Sequence, residues 1–322
     1  MGNYLIRRSL IIIPTLFITT VLVFLLLRLL PGDAIFMILA DTPHSVQMRA
    51  ALRSELGLDK PAFVQYSIWL KRMFDGSFGG RSFETGEVIV AMLAQQLPVT
   101  FLLAGYAFLF SVSWALPAGI AAGYRPGRAG DRILGVFSLT GLSVPNILTA
   151  SVILITLLKL FRWSPPIVYA SPGEDTEGHF QMMLWPVLIL SFEYGSHLLR
   201  VARNATITAF TSPFIRGAKA RGVKPSSLLL RHVMPPVWAL TLSLAGAHFG
   251  ILIGGALVLE TVFGLPGMGR GLVQAAVARD FPVIQSYAVI LVGLYLLLNT
   301  LFDLLHRSID PRLRTGMAGG RG

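Results

Sequence analysis

The stretch FIRGAKARGVKPSSLLLRHVMPP, residues 214–236, decides how the rest of the chain is interpreted. It carries five basic residues and no acidic one, and apolar runs long enough to cross a bilayer lie on both sides of it. A basic segment between two membrane spans is typical of a cytoplasmic loop. Its first half can form a short helix, which Gly222 ends and Pro225 prevents from continuing. We therefore predict a cytoplasmic helix within residues 212–224.

The composition places the chain in a membrane. Of its 322 residues, 54% are hydrophobic and only 13% are charged, which is too apolar for a soluble domain. The net charge of +11 would suggest a nucleic-acid partner in a soluble protein. Here the basic residues lie between and beside apolar runs, so no nucleic-acid partner is expected. The absence of cysteine excludes disulfides, thiol catalysis and cysteine-ligated metals.

Six apolar segments are long enough to cross about 30 Å of hydrocarbon as helices. They are residues 9–30, 97–124, 133–158, 182–199, 233–259 and 281–302. We predict an all-α polytopic membrane protein, a single transmembrane domain over residues 1–322 with six spans and both termini in the cytoplasm. The segments placed inside hold more than half of the 27 basic residues but only three of the 16 acidic ones. This asymmetry follows the positive-inside rule and sets the orientation.

Two further segments carry structural expectations. Residues 31–96 would form an outer helical region, with amphipathic helices around residues 46–56 and 61–74. In the third span, the sequence Ser-Val-Pro-Asn at residues 143–146 should kink the helix and free backbone carbonyl groups near the middle of the membrane.

Glycine spacing predicts where helices pack closely. Gly119 and Gly123 are four residues apart in the second span, and Gly246, Gly250 and Gly254 repeat every four residues in the fifth. Small residues at this spacing let helix backbones approach one another. We predict close packing at both places, and in the fifth span the partner is either a helix of this chain or one of another subunit.

Glu193 and His197 are four residues apart in the fourth span and hence on one helical face. A carboxylate inside a span is costly unless it is paired or lies in a wet cavity, so the two residues are candidates for the transport pathway. A local pair or a position near the interface explains them equally well. An ion- or proton-coupled secondary transporter that uses this pair is the alternative function.

The spacing within residues 218–235 resembles the EAA loop of ABC-importer permeases. Ala218, three residues, Gly222, nine residues, His232, one residue and Met234-Pro235 follow that loop, although Arg216-Gly217-Ala218 replaces its name-giving E-A-A. In that family the short helix docks in a groove on the ATPase subunit. The resemblance implies an ATPase-coupling role for Phe214, Ile215, Arg216, Ala218, Lys219, Arg221 and Gly222. Of these, the apolar Phe214, Ile215 and Ala218 would enter the groove, and the basic side chains would meet its acidic rim.

The resemblance extends over most of the chain and is sharpest in Glu260-Thr-Val-Phe263, Pro266-Gly-Met-Gly-Arg270 and Arg279-Asp280-Phe-Pro282. It is a resemblance to the B-type permease subunit of the dipeptide, oligopeptide and nickel importers. We expect residues 260–282 to form an outer loop whose backbone at residues 264–270 is not helical, because it holds three glycines and a proline. The outer-loop or gate residues would be Glu260, Pro266, Gly267, Gly269, Arg270 and Asp280. Arg270 and Asp280 would fix the loop by polar contacts, and Glu260 either lines the gate or caps the fifth span.

The resemblance also implies the partners. They are a homologous second permease, two ATPase subunits that hold ATP and magnesium, a solute-binding protein and the lipid of a bacterial inner membrane. The solute expected first is a di- or oligopeptide, with nickel chelates, glutathione and sugar-like solutes left open. This chain has no G-x-x-x-x-G-K-[ST], H-E-x-x-H or G-x-S-x-G motif, and its six histidines are scattered. We therefore expect no catalytic, cofactor or metal site in it.

Overall fold

The computed structural model describes residues 2–29 and 59–309, and the regular elements in these two ranges are helices. A π-helical turn, Leu229–Val233, joins two of them. The helices are α1 Gly2–Leu29, α2 Ala62–Phe74, α3 Ile89–Tyr124, α4 Ala129–Ser143, α5 Asn146–Phe161, α6 Thr176–Thr211, α7 Pro213–Ala220, α8 Pro225–Leu228, α9 Met234–Phe263, α10 Met268–Ala278 and α11 Phe281–Ile309.

Four of the described helical segments are long and apolar enough to cross a membrane: Arg8–Leu29, Ile89–Tyr124, Thr176–Thr211 and Phe281–Leu304. The number rises to six if two pairs of helices separated by short breaks each count as one span. An all-helical polytopic architecture is thus confirmed, whereas the count of six and the orientation stay predictions. A helix was predicted at residues 61–74, where α2 lies, and the one predicted at 46–56 falls outside the described residues.

The third apolar segment is broken rather than kinked. α4 and α5 meet at an angle of 99° across Val144 and Pro145. Pro145 has no N–H and disfavours helical angles in the residue before it. Val144 is accordingly extended, with φ −99° and ψ 119°, and its own N–H closes α4 on the carbonyl of Thr140. A kink in a continuous helix was therefore the wrong expectation at this position.

The chain divides into two compact units, Met1–Thr100 with Pro266–Leu296, and Phe101–Leu265 with Leu297–Gly322. The single domain predicted for residues 1–322 stays a prediction. In the first unit, the start of α3 packs with α10 and α11 around a core of Ile89, Leu93, Met268, Ala275, Val283 and Tyr287. The side chain of Gln96 lies so close to Gly271 that a Cβ there would clash with it. The hydroxyl of Tyr287 also donates to this Gln96 side chain over 3.0 Å.

In the second unit, α3 lies close against α6. A Cβ at Gly119 would lie 2.5 Å from the carbonyl oxygen of Leu199, and one at Gly123 would lie 2.6 Å from that of Arg203. Real Cβ atoms essentially never come this close to another heavy atom. The close packing predicted from Gly119 and Gly123 is confirmed, and its partner is α6.

The contact between α9 and α6 uses a different glycine from the expected one. A Cβ at Gly255 would lie 2.5 Å from the Leu190 side chain, whereas at Gly254 the described residues place no heavy atom within 4 Å. Within the described chain, Gly254 therefore faces open space. The predicted packing at Gly246 and Gly250 stays a prediction.

Candidate functional site

The short helix α7 is defined by signals at both ends. The hydroxyl of Ser212 accepts the N–H of Ile215 over 3.4 Å at its start, where Pro213 occupies the first turn. Gly222 follows the helix with φ +78°. The N–H of Val223 then bonds to the carbonyl of Ala218, and that of Gly222 to Lys219, which is a Schellman motif. The predicted helix end, with Gly222 at positive φ, is confirmed.

The inner face of α7 is buried in this chain. Ile215 is 2% exposed and Ala218 is 7% exposed. They belong to one hydrophobic core with Leu116 of α3, Ala202 and Ala205 of α6, and Leu228, Val233 and Val237 of the segment that leads into α9. Ile215 and Ala218 were predicted to enter a partner's groove, and this interpretation is corrected: the apolar stripe of an amphipathic helix packs first against its own core.

The outer face of α7, which we define as Phe214, Arg216 and Ala220 together with Arg221 directly after the helix, is exposed. Phe214 is 60% exposed and its ring meets the His232 ring edge-on, with centroids 5.3 Å apart. The guanidinium of Arg216 donates two hydrogen bonds to the carbonyl of Thr211, over 3.0 and 2.9 Å. Of the three apolar residues predicted to enter a groove, Phe214 alone is open to a partner in the described structure.

An ion pair holds the connection between α3 and α4 against α6. The guanidinium of Arg203 donates to both carboxylate oxygens of Asp131, and the second bond measures 2.8 Å. Asp131 also accepts the N–H of Gly127 over 2.8 Å and is 7% exposed. This pair was not predicted from the sequence. The signal was there, because Asp131 is the one acidic residue in an otherwise basic loop, residues 125–132.

The outer-loop prediction requires correction at residues 268–270. Gly269 and Arg270 lie in the first turn of α10, so the backbone there is helical. Within residues 264–270, only residues 264–267, between α9 and α10, are not helical, and they contain Pro266 and Gly267. α10 starts here because the hydroxyl of Thr100 accepts the N–H of Met268 over 2.9 Å and so satisfies a free donor of the first turn.

The two acidic residues of this region are both buried. Glu260 has no exposed surface and lies in the last turn of α9, where its backbone carbonyl accepts the N–H groups of Gly264 and Leu265. This burial fits a structural role at the end of the helix rather than an open gate. Asp280 precedes α11 and accepts a hydrogen bond from the hydroxyl of Ser82. The predicted polar contact of Asp280 exists, but its partner Ser82 lies in the segment before α3.

Glu193 on α6 accepts a hydrogen bond from the side-chain amide of Asn146, the first residue of α5. Its partner is therefore on the helix that follows the break at Pro145, rather than His197 on its own helix. The carboxylate lies 3.7 Å from the position of a Cβ at Gly255. Three helices thus surround Glu193, and its hydrogen bond satisfies part of a charge that is costly to bury.

Comparison with known proteins decides the family. The family model for the binding-protein-dependent transport system inner membrane component matches residues 115–315. The chain belongs to this family. Residues 1–104 match the N-terminal membrane component of the same transport systems.

Relatives of this permease cover nearly its whole length. A probable peptide ABC transporter permease of Sinorhizobium fredii is 35% identical over 98% of this chain and 100% of its own. The oligopeptide transport system permease OppB of Haemophilus influenzae is 31% identical, with the same coverage. The glutathione transport system permease GsiC of Salmonella choleraesuis is 32% identical over 98% of this chain and 99% of its own.

This chain is therefore a permease subunit of a bacterial ABC importer in the inner membrane, and not an enzyme. Importers of this class are driven by ATP, so family membership decides against the ion-coupled alternative that would have used Glu193 and His197. The structure fixes α7 to the bundle through its buried face and leaves its other face exposed.

Proposed function

We propose that this permease forms, together with a homologous second permease, the membrane pathway of a peptide importer. Two ATPase subunits, which bind ATP and magnesium, dock at α7, and a solute-binding protein delivers the solute on the opposite side. The names of the relatives support a peptide solute, since two are peptide permeases and glutathione is itself a tripeptide. Nickel chelates and sugar-like solutes are the other candidates.

The proposed topology has six spans, with both termini and α7 on the cytoplasmic side. The asymmetry of basic and acidic residues supports it. The spanning helices suggested by length and hydropathy are compatible with six crossings if each broken pair is one span. In this arrangement the exposed face of α7 is turned to the compartment where ATP is available.

The attachment of α7 to the bundle is the observation that carries this proposal. A helix that transmits movement must be fixed to the elements that it moves. Ile215 and Ala218 fix α7 in one core with residues of α3 and α6 and with Val237 of α9, and burying a side chain such as Ile215 stabilises the contact by about 1.5–3 kcal/mol. A displacement imposed on the outer face of α7 would therefore be passed directly to three long helices.

The test separates the two faces of α7. Phe214→Ala removes an exposed ring, so it should weaken association with the ATPases by about thirtyfold if Phe214 is an interface anchor worth about 2 kcal/mol. Thermal stability should stay at the wild-type value. Leu230→Ala is the matched control, because Leu230 is 61% exposed in the same loop but outside α7.

Association is measured by pull-down of the ATPases, and coupling by vanadate-sensitive uptake and solute-stimulated hydrolysis in proteoliposomes. Ile215→Ala should instead lower the thermal stability of the permease itself, because it opens the core. If the Phe214→Ala and Leu230→Ala variants both associate with the ATPases as strongly as wild type does, docking at α7 loses its support.

A further inference from the structure

A cavity of about 300 Å³ lies beside α7 in the second unit. The end of α3 and the connection to α4 form one side of it, and the end of α6 with α7 forms the other. Its lining residues are Gly123, Tyr124, Arg125, Pro126, Ile207, Phe210, Thr211 and Lys219. Phe214 and Arg216 of the outer face of α7 do not line this cavity.

The cavity is positively charged. Arg125 and Lys219 line it, and none of its lining residues is acidic. The nearby carboxylate of Asp131 is already engaged on both oxygens by Arg203. Within the described residues, neither Arg125 nor Lys219 forms an ion pair with a carboxylate. Two cations thus face one space to which the described residues supply no counter-charge.

Aromatic rings hold these two cations in place. The guanidinium of Arg125 lies 5.7 Å from the ring centroid of Tyr124, and the ammonium of Lys219 lies 5.1 Å from that of Phe210. The two rings pack edge to face with centroids 5.3 Å apart. Cation–π contacts restrict a long basic side chain without neutralising its charge. The rings of Tyr124 and Phe210, together with Ile207, give the lining an apolar part.

We propose that this cavity binds the phosphate headgroup of an anionic phospholipid. Arg125 and Lys219 supply the hydrogen-bond donors and charge that a phosphate diester requires. Tyr124 is the last residue of a candidate membrane span and of the predicted span 97–124, so the Arg125 side of the cavity lies at the predicted membrane boundary, where headgroups lie. Basic pockets between helices at the cytoplasmic side of a membrane are known to take such headgroups.

A lipid fits this cavity better than a free phosphate ion does, because Ile207 and Phe210 offer apolar surface to the glycerol and upper acyl chain. The assignment to the cytoplasmic leaflet rests on the topology under the proposed function. Lys219 belongs to α7, so a bound lipid would tie this helix to the membrane. Its ammonium lies over Phe210 beside the cavity, and its predicted contact with an acidic rim of an ATPase stays a prediction.

The experiment uses the assembled transporter in nanodiscs of phosphatidylcholine with one quarter phosphatidylglycerol. Native mass spectrometry counts the phosphatidylglycerol that the permease retains after transfer to detergent. We expect Arg125→Gln to lower retention about fivefold and Arg125→Gln with Lys219→Gln to lower it at least tenfold. Arg128→Gln removes an exposed charge from the same loop but does not line the cavity, and it should retain the wild-type amount.

Three results would overturn the proposal. The first is that the double variant retains as much phosphatidylglycerol as wild type. The second is that the Arg128→Gln control loses as much of the lipid as the double variant does. The third is that millimolar inorganic phosphate displaces the lipid completely, which would identify a site for free anions. The ATPase content of each sample is measured in parallel. Loss of the ATPases from the double variant with lipid retention intact would overturn the lipid site and leave docking at α7 standing.

Discussion

Replacing Gly222 by valine should loosen α7 without disturbing any packed side chain. Gly222 has φ +78°, and no heavy atom lies within 4 Å of the position that a Cβ would take. The penalty is therefore confined to the backbone. A residue other than glycine costs about 1–2 kcal/mol in this left-handed conformation, and a β-branched residue belongs at the upper end because its side chain is stiff.

This penalty destabilises the helix end that the two Schellman hydrogen bonds close, so it should raise the population of the locally opened form of α7. With about 1.4 kcal/mol for each factor of ten, the Gly222→Val variant should exchange the amide hydrogens of residues 215–223 about 5- to 30-fold faster. Hydrogen exchange of the reconstituted permease, read by mass spectrometry on peptides that cover α7, measures this directly. Gly222→Asn should stay near wild type, because asparagine adopts left-handed angles.

Gly217→Ala provides a control of opposite sign. Gly217 lies inside α7, and a Cβ there would meet only the end of the Arg221 side chain, 3.8 Å away. Alanine should therefore stabilise the helix by up to about 1 kcal/mol and slow its exchange. Equal exchange rates for Gly222→Val, Gly222→Asn and wild type would refute the reasoning that positive φ at Gly222 ends α7.

Three further results are expected. Thr85→Cys should react with an impermeant thiol reagent on intact spheroplasts and Ser226→Cys only after permeabilisation; the reverse pattern would invert the topology. Asp131→Asn should lower the unfolding free energy of the solubilised permease by roughly 1.5–3 kcal/mol, because Arg203 loses a charged partner, and an unchanged melting temperature would contradict that contact. Glu193→Gln keeps an acceptor for the amide that bonds to Glu193, so ATP-driven uptake should stay close to wild type. Loss of uptake in this variant would show that transport requires the negative charge of Glu193.

The sequence alone determined the features that depend on local chemistry. Hydropathy predicted the all-helical membrane class, because a span must satisfy its backbone internally and meet lipid with apolar side chains. The two ends of α7 are set by Ser212 and Pro213 at its start and by Gly222 after its last turn. They act through their own hydrogen bonds and backbone angles, which are properties of single positions. The spacing of Gly119 and Gly123 likewise indicated a close approach, since small residues four positions apart on one face let helix backbones come together.

Only the tertiary structure decided which surface meets which. The pattern around Ile215 and Ala218 predicts an apolar stripe, but it does not say whether the chain or a partner covers that stripe. Glycines near Gly269 indicate a turn or a close contact equally well, and the Gln96 side chain against Gly271 is what distinguishes the two. The pair of Asp131 and Arg203 joins residues 72 positions apart. Such contacts depend on how helices are placed in space, which short-range sequence patterns do not encode.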